Sequence, residues 1–197
     1  MATICTSGLT ADILYDCDNE TTGGLEVDML FFNRNDIKKS AVTFDVTNPI
    51  LMTNFAMNTG KKGLMITGIK QINGTAFELV KKEKSSDKFK HQFMGIIPGL
   101  SVANKMRLIE LSRGANLCVM FEMKWKGAAQ KEAFQLLGYE SGLELKSATW
   151  KSNENDGNIT FELESVANYE EPKPPYTVLE TDYAATKLAF TNKFLGV

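Results

Sequence analysis

The chain predicts a mainly β, α+β fold, an antiparallel β-sandwich or barrel with one flanking helix and terminal arms. Three observations carry this. Short runs of alternating apolar and polar residues recur along most of the 197 residues, turn dipeptides punctuate them, and one stretch alone, residues 101–113, changes cleanly to a helical period.

Residues 23–34, GGLEVDMLFFNR, alternate Leu25, Val27 and Met29 with Glu26, Asp28 and Leu30 after a glycine pair, the pattern of a half-buried strand entered from a turn. Further strands are expected at 41–47, 50–58, 63–72 and 75–83, each rich in β-branched or aromatic residues and separated by NP, TGKKG or NG. In residues 87–97, Phe89, His91 and Phe93 share one strand face, with Lys88, Lys90 and Gln92 on the other, so His91 is read as a packing or interface residue. After Pro98-Gly99, Val102, Met106, Ile109 and Leu108 form an apolar helical stripe, with Ser101 as N-cap and Gly114 as stop.

Residues 115–127 return to alternation, with Leu117, Val119, Phe121, Met123 and Trp125 facing one way and Cys118, Met120, Glu122 and Lys124 the other. Residues 129–138 fit a helical turn or an edge strand equally well. Residues 141–152 and 157–166 form a hairpin around NENDG, where Asp156-Gly157 supplies the turn chemistry; the acidic loop departs from the spacing of a calcium loop. EEPKPPY, with three prolines in four positions, is expected to end the body near residue 171. Beyond it, Thr181 as N-cap and Tyr183, Ala184, Leu188 and Phe190 outline a short amphipathic helix that either folds back or docks on a neighbour, followed by Phe194 and Leu195. The organisation is an arm at 1–22, a body at 23–171 and an extension at 172–197.

With 43% hydrophobic residues the chain can bury a core, and a formal charge of −2 gives no overall attraction to nucleic acid or anionic membrane. No apolar run approaches the roughly 18–20 residues that span a bilayer, and the leading residues lack the pattern of a secretory signal. A cytosolic origin favours reduced thiols. Cys5, Cys17 and Cys118 are therefore read as free structural cysteines, with a disulfide or a metal clamp as the alternatives. No Walker loop, dinucleotide-binding glycine fingerprint, nucleophile elbow or zinc-protease helix occurs, so no enzyme activity and no cofactor is expected.

The segments CTSGLTADILYDC, GGLEVDMLFFNR, LSVANKMRLIELSRG, FQLLGYESGLELKSATWKSNENDGNITFELES and EEPKPPY, in that order over about residues 4 to 176, resemble tail-tube (major tail) structural proteins of tailed phages and prophages of Bacteroidota hosts. The resemblance implies a subunit made in the bacterial cytoplasm and carried in the virion tail. It would assemble with itself into stacked rings, expected to be hexameric, contact other tail proteins and let DNA pass as cargo, without catalysis or membrane insertion. A tail terminator, neck or injection-device subunit is the near alternative, and a carbohydrate-binding or adhesin module using Trp125, Trp150 and Tyr139 the distant one. Candidate subunit contacts are Lys81, Lys82, Lys84, Lys88, Lys90, Tyr183, Leu188, Phe190 and Phe194.

Overall fold

The computed structural model describes residues 12–13, 19–68, 72–114 and 116–197. Cys5, Cys17 and most of the expected N-terminal arm lie outside them. The strands are β1 (Leu25–Asn33), β2 (Thr43–Phe44), β3 (Leu51–Asn54), β4 (Leu64–Thr67), β5 (Gly74–Val80), β6 (Lys88–Ile97), β7 (Leu117–Met123), β8 (Phe134–Leu137), β9 (Leu143–Trp150), β10 (Ile159–Ser165) and β11 (Tyr176–Val178); the helices are α1 (Val102–Arg113) and α2 (Tyr183–Thr191).

The eleven strands among the described residues belong to one hydrogen-bonded sheet that does not close on itself there. It folds into two layers. The first runs β4-β1-β7-β8-β11-β3-β2 and the second β9-β10-β6-β5, joined where β9 meets β7 at Leu143 and Leu117. A sandwich is therefore what forms, and the barrel alternative is not. One pair departs from the antiparallel expectation: β11 runs parallel to β3 while pairing antiparallel with β8.

Between the layers, Met29, Phe31, Val119 and Phe121 meet Phe93, Ile159, Phe161 and Leu163 in one core. Phe31 packs edge-on against Phe93 with ring centroids 5.3 Å apart. A second core lies on the outer face of the first layer, where Leu30, Phe32, Cys118, Met120, Phe134 and Leu136 are covered by Phe55, Phe190 and Phe194. Residues 117–122 of β7 are thus buried on both faces. The alternation in that strand separates two cores, not core from solvent.

The extension beyond residue 171 is part of the body. Extended backbone after the prolines delivers β11 into the first layer, and α2 lays Phe190 and then Phe194 onto the second core. The cap of α2 is Asp182, not Thr181: its carboxylate accepts the Ala185 N–H at 2.8 Å. Helix α1 matches its expected limits, with the Ser101 hydroxyl accepting from Asn104 N–H at 3.1 Å and Gly114 as C-cap. Of its expected apolar stripe only Leu108 turns inward. Val102, Met106 and Ile109 are exposed, and Leu108 and Leu111 pack on the inter-layer core, because the Asn104 amide is tied to the Pro98 and Gly99 carbonyls and sets the roll of the helix. Residues 134–137 resolve as strand, and the Asp156-Gly157 hairpin forms with φ of 53° and 73°.

These packings separate two neighbouring residues of α2. Phe190→Ala, which empties a buried site, should cost about 3–5 kcal/mol in urea denaturation, whereas Leu188→Ala on the exposed face should stay within about 0.5 kcal/mol.

Candidate interaction surfaces

Residues 138–142 form a tight turn between β8 and β9, with φ of +74° at Gly138 and +87° at Gly142. A Cβ at Gly138 would lie 2.8 Å from the Leu117 carbonyl oxygen, and one at Gly142 would lie 2.6 Å from Asn116 Cα, so both positions need glycine. Three buried side chains hold this turn. The Glu171 carboxylate accepts N–H bonds from Glu140 (2.9 Å), Ser141 (2.8 Å) and Gly142 (3.3 Å). The Gly138 N–H donates to His91 Nδ1 at 3.2 Å, and the Cys118 thiol donates to the Gly138 carbonyl at 3.1 Å. Because Nδ1 accepts, the imidazole proton sits on Nε2, which donates to the Lys173 carbonyl at 3.0 Å. The backbone of Glu171 also exchanges two hydrogen bonds with Phe89 of β6, at 2.8 and 2.9 Å.

His91 is fully buried with both ring nitrogens engaged, which makes it a joint and leaves it no free edge for chemistry. Burial outweighs the Lys173 bond and lowers its pKa from 6.5 to about 4. Burial likewise pushes the Cys118 thiol up, leaving it unreactive. Burial also raises the Glu171 carboxyl above the usual range, and the three N–H donors pull it back.

A second polar cluster fastens α2. Glu122, on the second-core face of β7, accepts from Lys126 Nζ (2.7 Å) and Tyr183 Oη (2.7 Å) and bonds Lys187. Burial opposes its ionisation, but these three donors outweigh burial and hold the carboxyl below its usual range. Sequence reading did not single it out, since one glutamate in an apolar strand carries no signal of its partners 61 and 65 residues away.

The candidate contact residues divide accordingly. Phe190 and Phe194 are buried in their own chain's core and Tyr183 is bonded to Glu122, so these three are removed from any outward surface; Leu188 remains exposed. Lys82 pairs with Glu170 at 2.8 Å, and Lys90 with Glu164 at 2.9 Å within a cross-strand network that includes Lys146 and Glu162. Lys81 and Lys84 are exposed and Lys88 is half-buried, and none of the three has an acidic partner among the described residues. Tyr139 is buried against Tyr176 and Phe44, so it offers no stacking face to a sugar, while Trp125 is half-buried and Trp150 is 43% exposed.

Which strands lie at the open edges was not legible in the sequence. Among the described residues β5 pairs only with β6 and exposes Phe77 and Leu79, and β4 pairs only with β1 and exposes Leu64. Gly68 N–H bonds the Val27 carbonyl, which by two-residue alternation turns the backbone groups of Met65 and Thr67 away from β1. Between that edge and α1 lies a cleft of about 770 Å³.

No protein-family model matches the chain, and no curated protein matches it.

The His91 geometry sets a pH dependence. The unfolded chain takes up the imidazole proton near pH 6.5 and the folded chain only near 4, so stability present above pH 6.5 falls through that window, by about 3 kcal/mol at its acid end. Denaturant titrations from pH 7 to 4 should show this slope in the wild type and a flatter one in His91→Gln.

Proposed function

We propose that this chain is a structural virion protein, a tail-tube subunit that assembles with copies of itself into stacked rings through which DNA passes. The observation that carries the reading is that, among the described residues, strand edges lie open in both layers, β4 in the first and β5 in the second, each bearing exposed apolar side chains: Leu64 at 57%, Phe77 at 53% and Leu79 at 52%. Such edges are templates for pairing with another chain. Because the two edges are different surfaces, contact between them is head-to-tail, the geometry that closes rings. The order of sequence segments that resembles phage tail-tube proteins supports the same role, and a terminator, neck or injection-device subunit would use the same contacts.

Lys81 and Lys84 of the β5–β6 connection and Lys88 at the start of β6, which have no acidic partner among the described residues, are then available for ion pairs between subunits. Lys82 and Lys90 already have partners within the chain. The carbohydrate-binding alternative loses Tyr139 to the core.

Mass photometry and negative-stain electron microscopy of the purified protein at rising concentration should show rings or tubes. Phe77→Glu with Leu79→Glu, both on exposed positions, should leave the monomer folded and suppress assembly. A strictly monomeric wild type at every concentration would overturn the reading.

A further inference from the structure

We infer that the cleft between α1 and the open edge of β4 is a socket for the acidic leading segment of a second copy of this chain, which enters as an added strand. The inference rests on the assembly reading above and names the contact by which one copy would hold the next.

The socket has the features strand addition needs. Met65 and Thr67 turn unpaired backbone groups outward, while the next outward group on the same edge, Gly63 N–H, is already taken by the Lys193 carbonyl at 2.8 Å. Leu64 and Ile66 face the inter-layer side with Met29 and Phe31, but at this edge the second layer reaches the cleft only through Ile97 among its described residues, with Pro98 and α1 standing opposite and Leu64 left 57% exposed. The opening therefore presents an apolar floor beside a free strand edge. An added strand would continue the first layer and place every second side chain into the cleft.

Charge selects the occupant. Of the charged side chains lining the cleft, Arg107 pairs with Glu110, whereas Lys62 and Lys193 have no acidic partner among the described residues. The cleft is left with an excess of two positive charges. Residues 1–20 carry Asp12, Asp16, Asp18 and Glu20 and no lysine or arginine. Within that segment, DILYD at 12–16 sets Ile13 and Tyr15 on one face of a strand between two aspartates, and the run is about as long as β4. Ile13 is 84% exposed in its own chain, an uncovered β-branched residue suited to the uncovered floor. Strand addition supplies backbone hydrogen bonds, Ile13 and Tyr15 fill the cleft, and the flanking aspartates meet Lys62 and Lys193.

The test uses two full-length charge-reversed proteins, Lys62→Glu with Lys193→Glu, and Asp12→Lys with Asp16→Lys, each checked for an unchanged melting temperature. Alone, each should require a concentration at least about tenfold higher to assemble, because like charges then meet at the contact. Mixed one to one they should assemble as the wild type does, since each copy's segment finds a complementary cleft on the other. Ile13→Asp, whose exposure makes it harmless to the monomer, should weaken assembly alongside them. Wild-type-like assembly of both reversed proteins on their own would overturn the socket and leave the assembly reading standing. If the mixture fails while a chain carrying all four substitutions assembles, the segment docks on its own cleft, which also overturns the inference. Failure of both the mixture and the fourfold variant would overturn the charge pairing itself. A wild type that stays monomeric would overturn both readings together.

Discussion

The fold depends on the turn at 138–142. It is where the first layer passes into the second, and a change of layer leaves backbone N–H groups with no strand to bond. Glu171 supplies the missing acceptor to three of them, and His91 to a fourth. Left unmade in the interior, each of these bonds would cost about 1–3 kcal/mol, so a buried carboxylate and a buried imidazole are less costly than the bare turn. The same two residues reach the proline segment, His91 through the Lys173 carbonyl and Glu171 through its own backbone. One polar node thereby fixes the crossover between layers and the path of the chain into β11.

Its consequence is a first layer buried on both faces. With the second layer on one side, the other still exposes Leu30, Phe32, Met120 and Phe134 until the extension returns over them. The prolines carry the chain out of regular structure and back into it, and α2 closes the second core. Glu122, at 1% side-chain exposure, locks that closure with two lysines and a tyrosine, an ionic arrangement that is stable only while all of its partners are present. With both faces of the first layer covered, that layer offers its open strand edge for contact, while the second layer keeps an exposed outer face as well as its edge at β5.

Much of this was legible in the sequence where a strand has one wet face. β10 alternates buried Ile159, Phe161 and Leu163 with half-exposed Thr160, Glu162 and Glu164, and period-two reading places it without help. β7 shows the same alternation while both of its faces are buried, because periodicity reports that two faces differ and not what each one meets. The limits of α1 were legible from Ser101 and Gly114, but its inward face was not: Leu108 and Leu111 turn onto the inter-layer core while Val102, Met106 and Ile109 stay exposed, and which side meets that core is not written in the helical period. The boundary at residue 171 misled because three prolines do break local structure, yet the chain rejoins the sheet directly afterwards. Phe190 and Phe194 were read as outward contacts for the same reason. The turn glycines, Glu171 and His91 lie far apart in sequence and become a node only when the layers stack.

The most direct test of this account is amide hydrogen exchange, residue by residue, on dilute and on concentrated protein. The account predicts that Gly138, Glu140, Ser141 and Gly142 exchange only through global unfolding in both samples, while Met65 and Thr67 exchange quickly when dilute and slowly when concentrated. Rapid exchange at 138–142 while β7 and β10 stay protected would contradict the node, and unchanged rapid exchange at Met65 and Thr67 in an assembled sample would contradict the use of the β4 edge.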